Sequence, residues 1–235
     1  MGELHGHVIA IAGAAGGLGP SVAERLAAAG ATIAATGRSQ ERLDELEARL
    51  EIGERLDARV VDLLEEDAAR QWAAGLRERF GRIDGLLHLV GGWRGGEPLA
   101  EASLDDYEWL HDLLVRTVQH TTRAFHDALV ESGRGRFVLV SSTQAQRPSG
   151  TNAAYGAAKA AAESWTLALA DSFAGSGATA NIIVVNAILT PAMREEDPDK
   201  EHPNFTPAED IAEALAYLCS SAAARMNGQR LSLHG

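Results

Sequence analysis

The chain has 235 residues, 46% hydrophobic and 23% charged, with a formal net charge of -12 at neutral pH. That length suits one large α/β domain with a sizeable core, and the acidic balance, with basic residues scattered among acidic ones, argues against nucleic acid as a partner. No apolar run approaches the roughly eighteen residues needed to cross a bilayer, Met1 and Gly2 open no basic-then-apolar leader, and the one cysteine, Cys219, lacks an internal partner; a cytoplasmic protein without a membrane partner is expected.

Short apolar runs alternate with longer amphipathic stretches, the pattern of parallel strands joined by crossover helices. The first run, His7 to Ala12, predicts a strand. It leads through the glycine-rich turn Ala12-Gly-Ala-Ala-Gly-Gly-Leu-Gly19 into a helix from Pro20 to Ala29. In that context glycines let the backbone approach a pyrophosphate at a helix N-terminus, although such a turn alone serves equally as a flexible connection. A strand from Thr32 to Thr36 and a helix from Gln40 to Leu50 follow, then a strand from Arg59 to Asp62 and a helix from Asp67 to Phe80. Next come a strand from Ile83 to Val90, a long helix from Leu104 to Glu131, a strand from Arg136 to Ser141 and a helix from Ala153 to Ala174. The chain closes with a strand from Thr179 to Val185, a helix from Pro207 to Ser221 and a strand from Arg230 to Leu233. Residues 191–205 are too polar and proline-rich for core structure and predict a loop over the substrate. Seven strands with helices between them imply one Rossmann-type domain over 1–235, a doubly wound seven-stranded parallel sheet with helices on both faces.

Tyr155-Gly-Ala-Ala-Lys159 puts a phenol and an ammonium one turn apart on a helix face, and Ser142 ends the strand before that helix. A free phenol titrates near pH 10, so proton exchange at neutral pH needs a nearby cation, which Lys159 can supply. Taken singly, Ser142 also suits a polar strand end and Lys159 a snorkelling surface lysine. No His/Cys cluster has metal-ligand spacing, so no metal is expected.

Together these residues resemble the short-chain dehydrogenase/reductases. Gly13, Gly17 and Gly19 follow the spacing of TGxxxGxG with Ala12 in place of Thr, Tyr155 and Lys159 match YxxxK, and Asn181 to Pro191 is similar to NAVAPGxIxTP with Val185-Asn186 in place of Pro-Gly. The resemblance implies a catalytic set of Ser142, Tyr155 and Lys159. Tyr155 would exchange a proton with the substrate oxygen while hydride passes between nicotinamide C4 and carbon, Ser142 would hold that oxygen, and Lys159 would also bind the nicotinamide ribose. It further implies cofactor contacts at Gly13, Gly17, Leu18, Gly19, Asp62, Leu63, His88, Gly91, Ile188 and Thr190. Asp62, read as ending the third strand, equally suits a turn cap. Gly37-Arg38 stands where a carboxylate would favour NAD; a guanidinium can pair with a 2′-phosphate, so NADP is expected, with NAD as the alternative and a solvated role for Arg38 as the plainer reading.

Two departures stand out. The usual NNAG is His88-Leu-Val-Gly91, and the helix from Leu104 to Glu131 contains no Asn, with Leu114 or Arg116 in the region where many relatives carry one. Val90-Gly-Gly-Trp-Arg-Gly-Gly96 resembles the AGGWAGG of dihydropteridine reductases, as do Leu189 to Arg194 and Asn204 to Pro207. This implies a flat ring against Trp93, a residue that equally suits packing of its own loop; Gln144 and Met193 complete the expected substrate contacts. The leading expectation is an NADP-dependent oxidoreductase of a small carbonyl or alcohol, with a pterin reductase and a non-catalytic dinucleotide sensor as alternatives. The apolar surface of the helices at 104–131 and 153–174 predicts a homodimer or homotetramer.

Overall fold

The computed structural model describes residues 2–234. Among them nine strands form: β1 (Val8–Ala12), β2 (Thr32–Gly37), β3 (Leu56–Val60), β4 (Gly85–His88), β5 (Arg136–Ser142), β6 (Thr179–Val185), β7 (Ala187–Leu189), β8 (Phe205–Pro207) and β9 (Arg230–Ser232). Seven make one parallel sheet in the order β3-β2-β1-β4-β5-β6-β9, and β7 and β8 make a small parallel pair.

Both faces of the sheet are covered, which is why its strands read as continuous apolar runs. Ile9, Ile11, Ile33, Leu87, Val138 and Ile183 face one layer, built from α1 (Gly19–Ala28), α2 (Gln40–Leu50) and α8 (Ala208–Cys219). Their neighbours Ala10, Ala34, Leu86, Phe137, Leu139 and Ile182 face the other, where Trp72 of α3 (Glu66–Phe80) meets Phe125 edge-on at 4.8 Å. Phe125 belongs to α5 (Thr117–Glu131), which follows α4 (Leu104–His111) through a π-helical turn over Asp112–Arg116; α6 (Ala153–Ser172) completes this layer. The predicted single helix over 104–131 is therefore interrupted. The turn is anchored by the Thr117 hydroxyl, which donates to the Leu113 carbonyl at 2.6 Å.

Several predicted boundaries move. The third strand begins at Leu56, three residues before the expected start, and Asp62 lies beyond its end. The charged pattern hid it: Asp57 is buried, and although burial alone would raise its carboxyl, Arg59 and Arg79 bind it at 2.6 and 2.7 Å and hold it below the usual carboxylate range. The fourth strand stops at His88, short of Val90. The segment 191–205 is not wholly a loop, because Thr190 caps the short helix α7 (Pro191–Glu196) and Phe205 opens β8.

At the strand N-termini, buried Asp84 accepts from Val8 N, Ser132 Oγ and Arg134 Nε at 3.0, 2.6 and 2.9 Å, and from Arg82 Nε at 2.8 Å. Burial would raise this carboxyl, yet these donors bring it down to about 2. The opposite end stays open. Between β1 and β4 the chain reverses its direction of travel across the sheet, and in such folds the crevice at the strand C-termini receives the ligand.

Candidate active site

A cleft of about 850 Å³ opens at that crevice. Its floor begins with the glycine-rich turn. Gly13 has φ of +90°, and a Cβ there would stand 2.9 Å from Val90 N, so only glycine lets β1 turn beneath the β4 loop. The amides of Gly13 and Ala14 donate to the Thr36 carbonyl at 3.0 and 2.8 Å, tying the turn to the end of β2. A Cβ on Gly37 would fall 2.6 Å from the Ala15 Cβ, so the position next to Arg38 cannot carry a carboxylate without moving the turn.

Arg38, Ser39 and Arg42 line this end of the cleft. The Ser39 hydroxyl caps α2 by accepting from Arg42 N at 3.3 Å, which places both arginines at the helix start. Neither guanidinium has an ion-pair partner among the described residues. Arg42 and Ser39 were not among the residues expected from sequence; a hydroxyl and a second arginine just past Arg38 were the available signal. Asp62 lines the cleft too and accepts from Leu64 N at 2.9 Å, acting as a turn cap.

Three strands away from Arg38, at the ends of β5 and the start of α6, Ser142, Tyr155 and Lys159 come together. Ser142 is buried at the last position of β5, and its Oγ accepts from Gln144 N at 3.3 Å. Burial pushes the Tyr155 phenol up, while the Ser142 hydroxyl beside it works in the opposite direction. Lys159 points inward, donates to the Val140 carbonyl at 3.0 Å and lies 5.9 Å from the Tyr155 ring centre. Burial lowers its ammonium to about 8, and the carboxylate of Glu163 partly offsets that fall.

Glu163 was missed from sequence. It lies one turn beyond Lys159 and is 2% exposed, where a helix glutamate usually reads as a solvated residue. Its carboxylate accepts from Ser141 Oγ at 2.6 Å, from the Gln146 amide at 2.9 and 3.0 Å, and from Arg230 Nε at 2.6 Å. It thereby clamps α6 to the end of β5 and to β9 beneath the reactive groups. The signal exists only in three dimensions.

Of the remaining expected residues, Gly17, Leu18, Leu63, Gly91, Trp93, Gln144, Ile188 and Thr190 line the cleft. Gly19, His88 and Met193 do not, nor does any residue of the expected substrate loop 191–205. Gly19 packs α1 against Ala14, whose carbonyl oxygen a Cβ would meet at 2.0 Å. His88 is buried between Thr117 and Thr121, with ring nitrogens 3.1 and 3.2 Å from their hydroxyls. Burial first, and then the Lys159 charge, lower this imidazole to about 3, so it is neutral. Thr117 and Thr121 also donate to the Leu113 and Thr117 carbonyls, at 2.6 and 2.8 Å, so the single proton of the neutral ring is shared with one of these two hydroxyls. Leu114, one of the two residues in the region of the missing Asn, is buried in the π-helical turn. Among the described residues no group of three or more metal-ligating side chains occurs, and no helix is long and apolar enough to cross a membrane.

The sequence pattern of the family described as Enoyl-(Acyl carrier protein) reductase matches residues 13–235. The chain is 28% identical over 241 residues to sulfoacetaldehyde reductase 2 of Chromohalobacter salexigens, covering 96% of this chain and 93% of that one. It is 32% identical over 162 residues to the NADP-dependent 3-hydroxy acid dehydrogenase YdfG of Escherichia coli O6:H1, a match spanning 69% of this chain and 64% of the relative. Among solved structures, the NADPH-bound short-chain oxidoreductase with an atypical catalytic centre from Pseudomonas aeruginosa PAO1 superposes with a TM-score of 0.88 at 25% identity, covering 99% of this chain and 96% of that one. With the glycine turn, Ser142, Tyr155 and Lys159 gathered on one cleft, this chain belongs to the short-chain dehydrogenase/reductases, a family of NAD(P)-dependent oxidoreductases.

Proposed function

We propose that the protein is an NADP-dependent reductase, or dehydrogenase in reverse, of a small carbonyl or alcohol, with Tyr155 as the proton donor. The observation that carries this reading is the charge layout of one cleft: the guanidiniums of Arg38 and Arg42, without an ion-pair partner among the described residues, at one end and the Ser142–Tyr155–Lys159 cluster at the other. The residues present fit the cofactor: Gly13, Gly16 and Gly17 line the floor of the cleft without side chains, and Arg38 and Arg42 line one end and Lys159 the other. Arg38 and Arg42 would pair with a 2′-phosphate, and the Gly37 contact with Ala15 supports NADP over NAD by leaving no room for a ribose-binding carboxylate. Thr190, Ile188 and Lys159 would hold the nicotinamide end. When bound, the cofactor supplies or accepts the hydride.

The rest of the chemistry lies with the chain. Ser142 and Tyr155 would hold the carbonyl oxygen, and as charge develops there the Tyr155 proton crosses to it. The Lys159 ammonium stabilises the phenolate left behind; it is protonated below about pH 8, so reduction should decline as pH rises through that value. An assembly through helices 104–131 and 153–174 belongs to the same proposal: Trp165 of α6 donates to Thr122 of α5 at 2.9 Å and remains 36% exposed, and sedimentation velocity measures the state directly. The test of function is NADPH and NADH oxidation with a panel of ketones, aldehydes and a quinonoid dihydropterin. NADPH oxidation driven by a simple carbonyl supports the reading; turnover of the pterin alone, or a preference for NADH, replaces it.

A further inference from the structure

The substrate end of the cleft has a chemistry of its own. Of the charged side chains lining the cleft, Arg38, Arg42 and Asp62 follow β2 and β3, whereas the reactive oxygen site follows β5. β2 and β5 are three strand positions apart, on the order of 14 Å. The fourth, Lys159, is buried under Tyr155 and bound to Val140. Arg94, in the loop that borders the substrate end, is occupied, donating to Asp106 at 2.8 Å and lying 4.1 Å over the Trp109 ring. An anionic group on the substrate would therefore lose water without gaining a cation, which is unfavourable in a partly enclosed site.

What remains there includes one indole, one leucine and the amides of Gln144, Asn152 and Asn186, of which Asn186 is held by Asn204 O at 3.2 Å and Thr143 Oγ1 at 3.3 Å. Trp93 is 59% exposed and its ring is held by a 2.8 Å hydrogen bond from Nε1 to Asn152 Oδ1, while the Asn152 amide donates to Ser149 Oγ at 2.8 Å, so Asn152 is committed to shaping the wall. Gln144 differs. Its Oε1 accepts from Ser149 N at 2.8 Å, its Nε2 has no partner among the described residues, and the residue lines the cleft. Leu113 completes the apolar surface.

We propose that the substrate is an uncharged carbonyl compound with a flat apolar body against Trp93 and Leu113 and a second oxygen or nitrogen acceptor for Gln144 Nε2, and that carboxylate- or sulfonate-bearing carbonyls are excluded. This rests on the redox reading of the same cleft and separates the chain from relatives named for sulfoacetaldehyde and 3-hydroxy acids. Trp93 and Gln144 become the specificity-determining pair.

The experiment titrates wild-type protein saturated with NADP⁺, in which a ketone can bind without reacting, with a matched pair: 4-methoxyacetophenone and 4-acetylbenzoate. The neutral ketone is expected to bind about 30-fold more tightly. Gln144→Leu should weaken 4-methoxyacetophenone about tenfold more than acetophenone, which lacks the second acceptor, and Gln144→Arg should favour the benzoate. Equal affinity for the pair, tighter binding of the benzoate, or no binding of the neutral ketone overturns the proposal. NADPH oxidation is followed in parallel. Selective binding of the neutral ketone without turnover upholds the substrate class and removes the redox reading, whereas turnover that prefers the benzoate does the reverse.

Discussion

Replacing Lys159 by Met should abolish turnover yet make the cofactor-free protein more stable. The ammonium is buried, and burial takes it from 10.5 down to about 8. At about 1.4 kcal/mol per pH unit, holding it charged costs the fold about 3 kcal/mol at neutral pH. Met has a similar length and no charge. It loses only the bond to Val140, worth about 1 kcal/mol, which leaves a net gain of about 2 kcal/mol and a rise in Tm of about 4–8 °C for a chain of this size. The sign with pH follows from the proton count. Between pH 8 and 10.5 the unfolded chain binds the Lys159 proton and the native state does not, so wild-type stability rises relative to the variant across that window and is penalised in full below it. Urea unfolding of both proteins at pH 7, 9 and 10.5 reads the difference, in which titrating groups remote from Lys159 cancel. A variant less stable than wild type at pH 7, or a gap that stays constant with pH, would show that the fold bears no cost for holding the Lys159 ammonium charged.

Three further outcomes follow from the same structure. Arg38→Ala and Arg42→Ala should each weaken NADPH about 10- to 100-fold, the loss of a charge-assisted bond, while NADH changes less than threefold; titration with both cofactors measures this. Glu163→Gln puts an amide donor where Ser141 or Arg230 now donates, so thermal unfolding should show a loss of about 2–4 kcal/mol. Because Glu163 raises the Lys159 ammonium, the alkaline limb of the reduction rate should also move to lower pH in that variant, a change that a purely structural role would not produce. Asp84→Asn should flatten acid denaturation: the Asp84 carboxyl is held down to about 2, so its contribution of about 2–3 kcal/mol is complete above pH 4 and disappears as pH falls through 2.

Parallel strands buried on both faces leave a plain trace in sequence, and β1, β2, β5 and β6 lie within a residue of their expected ends. The start of β3 was displaced, from Arg59 to Leu56, because an edge strand carrying Asp57 and Arg59 looks polar until Arg79 is seen beside them. β7 and β8 are three residues long and include Pro207, too little pattern for a periodicity to register. The proximity of Ser142, Tyr155 and Lys159 on one cleft was legible because Tyr155 and Lys159 share one helix, which fixes their spacing locally, and Ser142 ends the strand before it. Glu163 and Arg42 were not, since what distinguishes each from a solvated surface residue is its place in the fold: Gln146, Ser141 and Arg230 gathered around one, the open cleft beside the other. Met193 shows the converse, a residue assigned to the site by resemblance that sits on α7, away from the cleft lining.

Proton donation by Tyr155 is tested by Tyr155→Phe in a single-turnover mixture with bound NADPH and 4-methoxyacetophenone or another carbonyl that wild type reduces. The variant keeps the ring and loses only the hydroxyl, so NADPH should bind within about threefold of wild type. The rate of NADPH oxidation should fall about 10²- to 10⁴-fold, the usual contribution of a positioned proton donor. Oxidation at the wild-type rate, with NADPH binding intact, would contradict the assignment of Tyr155 and with it the mechanism.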